Sequence, residues 1–205
     1  QLFNEPNNRQ EWPGFGTGEI FTLTPVYVTE AYNEIWKQVK DTSPDRRLGP
    51  PAIDPYFGPR SNNRDWTRYI WAHVIGADVL FLHAKTQTND PRDVWSSDKF
   101  ADDPLRWQYL HLRTVETALE DVPDRFAHLP IFVTELNPQH LNIPGGSVGW
   151  RADSVPWIRE AVHYFEALEA VDGIVFYRYE EAGDQKPFGI QHAPILLNKI
   201  KEPAT

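Results

Sequence analysis

The sequence has no cysteine and no methionine in 205 residues. The first absence removes disulfides, thiolate nucleophiles and Cys-ligated zinc from the chemistry open to the chain. Basic residues are scarce: 20 Lys and Arg stand against 29 Asp and Glu, for a net charge of −9. That balance opposes nucleic-acid binding, which needs clustered cations to neutralise phosphates. No apolar run approaches the roughly 20 residues of a membrane span. No G-x-S-x-G elbow occurs, so a Ser-His-Asp hydrolase lacks its strand-to-helix nucleophile turn. His73 and His163 fall on predicted helices without a second His at i+4, so a helical zinc pair is unsupported. Gly14-Phe15-Gly16-Thr17-Gly18 is Gly-rich, but no strand precedes it immediately and no Lys-Ser/Thr follows, so it does not read as a phosphate loop.

Aromatic rings are plentiful. Hydrophobic residues make up 40% of the chain, aromatics 13%, and eight are Trp. A flat apolar ring matches the C–H face of a sugar, and the same rings also fill cores. The length suits one domain over residues 1–205.

Short apolar runs alternate with amphipathic stretches. Thr24 and Pro25 read as the N-cap and first position of a helix carrying Val28, Ala31, Ile35 and Val39 on one face. "PPAIDPYF" reads as a short strand and its loop. A helix with Trp66, Ile70 and Val74 inward is expected to close at Gly76. "ADVLFLHAKT" and "PIFVTELNP" read as buried parallel strands. Between them, Asp103 and Pro104 are expected to open one long helix through Val122. A helix with Ile158, Ala161, Val162, Phe165 and Leu168 inward, a strand over "GIVFYRYEE" and a closing helix over "HAPILLNKIKE" complete the series. With Gln1-Leu2-Phe3 taken as the end of a strand, five strands alternate with helices. This is the pattern of a parallel α/β sheet with right-handed crossovers. The long loops 7–23, 86–102 and 138–153 all follow strands, where α/β folds build their sites. They bring Trp12, Phe15, Trp95, Asn137, His140 and Trp150, of which Trp95, Asn137 and Trp150 are candidate sugar contacts.

Two strands end alike: Leu2-Phe3-Asn4-Glu5-Pro6, and Phe132-Val133-Thr134-Glu135-Leu136-Asn137. A Glu at the edge of a buried strand is costly unless it is paired or used. Each is therefore a structural carboxylate or a working one. Two at equivalent strand ends of one sheet would share a mouth, as glycoside hydrolysis requires: one carboxyl protonates the leaving oxygen, one carboxylate attacks the anomeric carbon.

"NEPN", followed later by a strand ending "TELN", resembles the large clan of retaining glycosidases with a (β/α)8 barrel, the cellulase and β-glycosidase type. In that clan the acid/base Glu follows an Asn at the end of strand 4 and the nucleophile Glu ends strand 7. The resemblance implies that this chain is the strand 4–8 portion of a TIM-type barrel and hydrolyses O-glycosyl bonds of a poly- or oligosaccharide. It makes Glu5 the acid/base, Glu135 the nucleophile and Asn4 the partner of the substrate 2-hydroxyl. It places His83 beside the nucleophile at the end of strand 6, and Tyr177 where the clan commonly has a Trp under the sugar. Asp54 and Tyr56, after strand 5, are further candidates. No metal and no cofactor are implied; the compartment is left open, with an extracellular or periplasmic setting slightly favoured for a carbohydrate-degrading enzyme.

The clan's strands 1 to 3, with an Arg that supports the nucleophile, have no counterpart. The start inside an apolar run suggests the later part of a longer polypeptide. Open sheet edges would then be covered by a separate N-terminal segment or a second copy of the chain. The competing reading is a carbohydrate-binding or scaffold protein without turnover.

Overall fold

The computed structural model describes residues 1–56, 63–101, 105–138, 150 and 153–177. The chain divides into two compact units. The first takes Gln1–His83 and Val115–Phe132, the second Ala84–Thr114 and Val133–Thr205.

Three strands form one sheet in the order β1-β2-β3: β1 is Leu80–Thr86, β2 Ile131–Pro138 and β3 Gly173–Phe176. Leu80 N–H donates to Pro130 O near the starts of β1 and β2, and Tyr177 N–H donates to Leu136 O near the ends of β3 and β2. Like ends are paired, so the strands run parallel. β1 is buried along nearly its whole length, as its unbroken apolar run requires.

In the first unit, helix α1 (Pro25–Thr42) begins as its sequence dictates. Thr24 Oγ1 accepts from Tyr27 N–H at 3.1 Å and Pro25 occupies the first turn. Its inward face is Val28, Thr29 and Tyr32. Helix α2 (Asn63–His73) buries Trp66, Thr67, Ile70 and Trp71. Asn33 of α1 clasps the end of α2, donating to His73 O and accepting from Ile75 N–H. Arg125 supplies the remaining cap: its Nη2 donates to Trp71 O, Ala72 O and Val74 O. Gly76 is therefore not the helix-ending residue expected from the sequence. A Cβ at this position would lie 2.5 Å from the Trp36 ring, so glycine is needed here for close packing. Tyr32 Oη donates to Gly76 O at 3.0 Å, and burial, with Asp78 nearby, pushes the phenol well above its ordinary range.

In the second unit, helix α4 (Val155–Ala167) buries Trp157, Ile158, Ala161, Tyr164 and Phe165; Val162 and Leu168 are only partly buried. Trp157 Nε1 donates to Thr86 Oγ1 at 2.8 Å, tying α4 to the end of β1.

Three sequence expectations are corrected. Gln1–Phe3 and residues 50–56 carry no strand. The helix expected from Asp103 is reduced to α3, Thr114–Leu119. Within 105–113 the backbone bonds elsewhere: Phe100 N–H donates to Gln108 O, Leu110 N–H to Asp98 O, and Lys99 bridges Tyr109 antiparallel. Those non-local bonds replace the i→i−4 ladder, and they bury Gln108 and His111 as polar residues. Asp103, Pro104, His140 and the closing helix lie outside the described residues.

Candidate active site

The segment Asn4-Glu5-Pro6-Asn7-Asn8 is a tight turn in the first unit. Glu5 O accepts from Asn8 N–H at 2.7 Å. Phe3 and Glu5 adopt positive φ, 63° and 38°, a region that non-glycine residues rarely enter. Each such residue costs on the order of 1–3 kcal/mol and persists only where its surroundings hold it.

Asparagine amides do the holding. Asn7 Nδ2 donates to Asp54 O and to Asn63 Oδ1, and Asn7 Oδ1 accepts from Asp54 N–H. This two-way amide clamp fixes the turn to the segment before Tyr56. Asn8 Oδ1 accepts from Gln10 N–H, capping the short 3-10 helix Arg9–Glu11. Trp12 Nε1 donates to Pro6 O at 2.7 Å, pinning the start of the following loop. Beyond it, Gly14, Gly16 and Gly18 all take left-handed φ, and the loop folds back through Phe21 N–H to Pro13 O.

Glu5 is only 4% exposed. Its Oε1 lies 2.7 Å from His83 Nδ1 on β1, a contact in which an imidazole N–H donates to a carboxylate or the nitrogen accepts from a carboxylic acid. Its Oε2 accepts from Asn8 Nδ2 at 3.4 Å. His83 and Asp54 are buried as well, and Asp54 Oδ1 accepts from Tyr56 N–H at 2.8 Å. The first unit thus brings together four residues singled out from the sequence: Glu5, His83, Asp54 and Tyr56. Asn4 is exposed, and its Oδ1 accepts from Gln1 Nε2. Asn7 and Asn8 escaped the sequence reading. Their signal was a pair of Asn directly after Asn-Glu-Pro, one of them at an N-cap position.

In the second unit, Glu135 and Asn137 lie on β2. Alternation along a strand places them on one face, and both are buried. Asn137 Nδ2 donates to Pro138 O, while its Oδ1 has no hydrogen-bond partner among the described residues. Trp150 is buried against Trp157 and Phe176, each ring edge-on to it, and its Nε1 donates to Tyr177 O at 2.7 Å. Trp150 therefore serves the core and holds the end of β3. Trp95 ends the 3-10 helix Pro91–Trp95, with its ring against Tyr164 and its Nε1 on Glu160 Oε2. The residue is 47% exposed.

No known family profile matches the sequence, and no curated protein matches it. Solved structures do match. A subgroup II GH128 endo-β-1,3-glucanase from Sorangium cellulosum aligns over 89% of this chain at 17% identity with a TM-score of 0.55. A subgroup VI GH128 exo-β-1,3-glucanase from Aureobasidium namibiae aligns over 90% at 16% identity with a TM-score of 0.52. A glucosidase from Croceicoccus marinus aligns over 87% at 19% identity with a TM-score of 0.54. The chain spans 59%, 57% and 34% of those proteins respectively. At these identities the likeness is one of fold: the chain shares the α/β fold of glycoside hydrolases over most of its length.

Proposed function

We propose that this chain carries the catalytic carboxylates of a retaining glycoside hydrolase and corresponds to the strand 4–8 portion of a (β/α)8 barrel, in which the segments expected as strands 4 and 5 are irregular. Glu5 is the acid/base and Glu135 the nucleophile. The observation that carries the reading is the Glu5 carboxyl. It is buried, set on a strained backbone, and bonded through both oxygens to His83 and Asn8. Strain of this kind concentrates where geometry is functional. A buried carboxyl is also suited to keep its proton until a leaving oxygen takes it.

The steps follow from the two roles. Glu5 donates its proton to the glycosidic oxygen as the C–O bond breaks, and Glu135 forms the bond to the anomeric carbon. Glu5, now a carboxylate, takes a proton from water, and that water displaces Glu135 from the sugar with retention of configuration. His83 orients the Glu5 carboxyl, and Asn137 Oδ1, which has no partner among the described residues, accepts from a substrate hydroxyl. The substrate is a β-1,3-glucan. Support for that class comes from the glucanase neighbours, among them an Amycolatopsis mediterranei GH128 endo-β-1,3-glucanase variant in complex with laminaripentaose (TM-score 0.52, 18% identity).

The test is hydrolysis of laminari-oligosaccharides by the protein and by two variants. Glu5→Gln is expected to lower kcat about 10²–10⁴-fold, the range of a lost general acid. Glu135→Gln is expected to abolish turnover, because an amide is a poor nucleophile. Proton NMR of the fresh product is expected to show the retained β-anomer. Binding of the oligosaccharides without cleavage by the unaltered protein would establish the carbohydrate-binding reading instead.

A further inference from the structure

We propose that Asp54 is a positioning residue for Glu5, acting on it through the shared side-chain amide of Asn8. This rests on the acid/base role proposed above for Glu5. The Asn8 Nδ2 group has two hydrogens. It lies 3.4 Å from Glu5 Oε2 and 3.4 Å from Asp54 Oδ2, so one amide serves two buried carboxyls. The direction of the amide is settled at its other end, where Asn8 Oδ1 accepts from Gln10 N–H at 3.0 Å. A flipped amide would set an N–H against that donor and an oxygen against both acids.

Asp54 is itself fixed before it meets Asn8. Its N–H and C=O are both engaged by the Asn7 side chain, each at 2.9 Å, and its Oδ1 accepts from Tyr56 N–H. Its other oxygen, Oδ2, thereby faces Asn8. Asp54, Asn7, Asn8 and Glu5 are exposed by only 2%, 2%, 6% and 4%, so water screens this group of side chains poorly.

Two effects on Glu5 follow. The Asp54 carboxylate draws one amide hydrogen, which keeps the other aimed at Glu5 and limits the carboxyl to one rotamer. Its negative charge, close to Glu5 in a dry setting, favours the protonated form of Glu5, the form that donates to a leaving oxygen. The Asn8 hydrogen bond works the other way, since a donor favours the ionised carboxylate. Among the described residues of this unit, His83 from β1, Asp54 and Asn8 face Glu5.

The opposed signs give a test that a purely structural role would not pass. The pH profile of kcat/KM on a laminari-oligosaccharide is measured for the protein and two variants. Asp54→Asn keeps the shape and removes the charge; its alkaline limb is expected to move to lower pH by about one unit, the low end of the effect of one nearby charge. Asn8→Ser keeps an N-cap oxygen for the 3-10 helix but loses both amide donors; its alkaline limb is expected to move to higher pH. Limbs that stay put in both variants, or move in the same direction, overturn the proposal. Should Asp54→Asn not fold, the direction of the Asn8→Ser shift decides alone, and an unmoved or lowered limb overturns it. Glu5→Gln separates the two readings. If it leaves hydrolysis and the alkaline limb intact, the acid/base assignment has failed. If it stops hydrolysis while the other variants leave the limb unmoved, only the role of Asp54 has failed.

Discussion

Glu5 and Glu135 are held by different means. Glu135 sits on a regular strand whose geometry the sheet supplies, with Asn137 on the same face two residues on. Glu5 sits outside any regular element, on a left-handed backbone held by side-chain amides from Asn7 and Asn8. A strand orients its side chains by ladder bonds that any sequence can make. A strained turn needs particular residues at particular places. The first carboxylate is therefore far more exposed to mutation in its surroundings than the second, and stability and activity should be lost together around Glu5 and separately around Glu135.

Asn7→Ala should break this contrast most severely. It leaves the Asp54 N–H and Asn63 Oδ1 without the bonds that Asn7 makes. Stranded buried groups cost about 1–3 kcal/mol each, so a loss of about 2–6 kcal/mol is expected in denaturant unfolding, with hydrolysis falling in parallel. Thr24→Ala is the control within the same unit: it removes the α1 cap at 3.1 Å from Tyr27 N–H. It should cost about 1 kcal/mol and leave hydrolysis unchanged.

A smaller effect, confined to acid, is expected in the second unit. Burial holds the His111 imidazole below its ordinary value of 6.5, against the opposing pull of Asp93 and Asp98. Gln87 N–H donates to its Nδ1 at 3.3 Å, which suits the neutral ring. Because the fold lowers this value, the unfolded chain takes the proton first as pH falls. The contribution is complete above the ordinary value and is lost as pH drops through it towards the lower folded value. The thermal midpoint should therefore fall over that window, and more gently in His111→Asn, which keeps an acceptor for Gln87. Asn137→Ala should cost about 0.5–1 kcal/mol, the bond from its Nδ2 to Pro138 O, since its Oδ1 has no partner among the described residues to strand. If Asn137 receives a substrate hydroxyl, KM rises in this variant by more than so small a loss of stability accounts for; an unchanged KM removes it from the substrate contacts.

Sequence pattern reached the elements that depend on local signals. Thr24 and Pro25 start α1 as expected, β1 and β2 occupy the two apolar runs, and α4 buries Ile158, Ala161 and Phe165. It failed where distant bonds decide. The periodicity from 103 to 122 is helical on paper, yet Gln108 and Leu110 bond to residues 98–100 instead. Residues 50–56 are apolar enough for a strand, but the Asp54 backbone is taken up by the Asn7 side chain. In the candidate site, Glu5, His83 and Asp54 were legible as types of residue in suggestive places. Asn7 and Asn8 were not, because an asparagine in a loop has no pattern that reveals what it binds.

The guanidinium that closes α2 has a consequence for how the chain is made. Arg125 reaches the carbonyls of Trp71, Ala72 and Val74 across 54, 53 and 51 residues of sequence. On a ribosome adding about 5–20 residues per second, it is synthesised roughly 3–10 s after that helix. During the interval the last turn of α2 has Asn33 for company but not its arginine, and three carbonyls face solvent or a chaperone. Any pause in translation between the two segments prolongs that state, so the interval before Arg125 appears is a vulnerable period in the birth of the first unit.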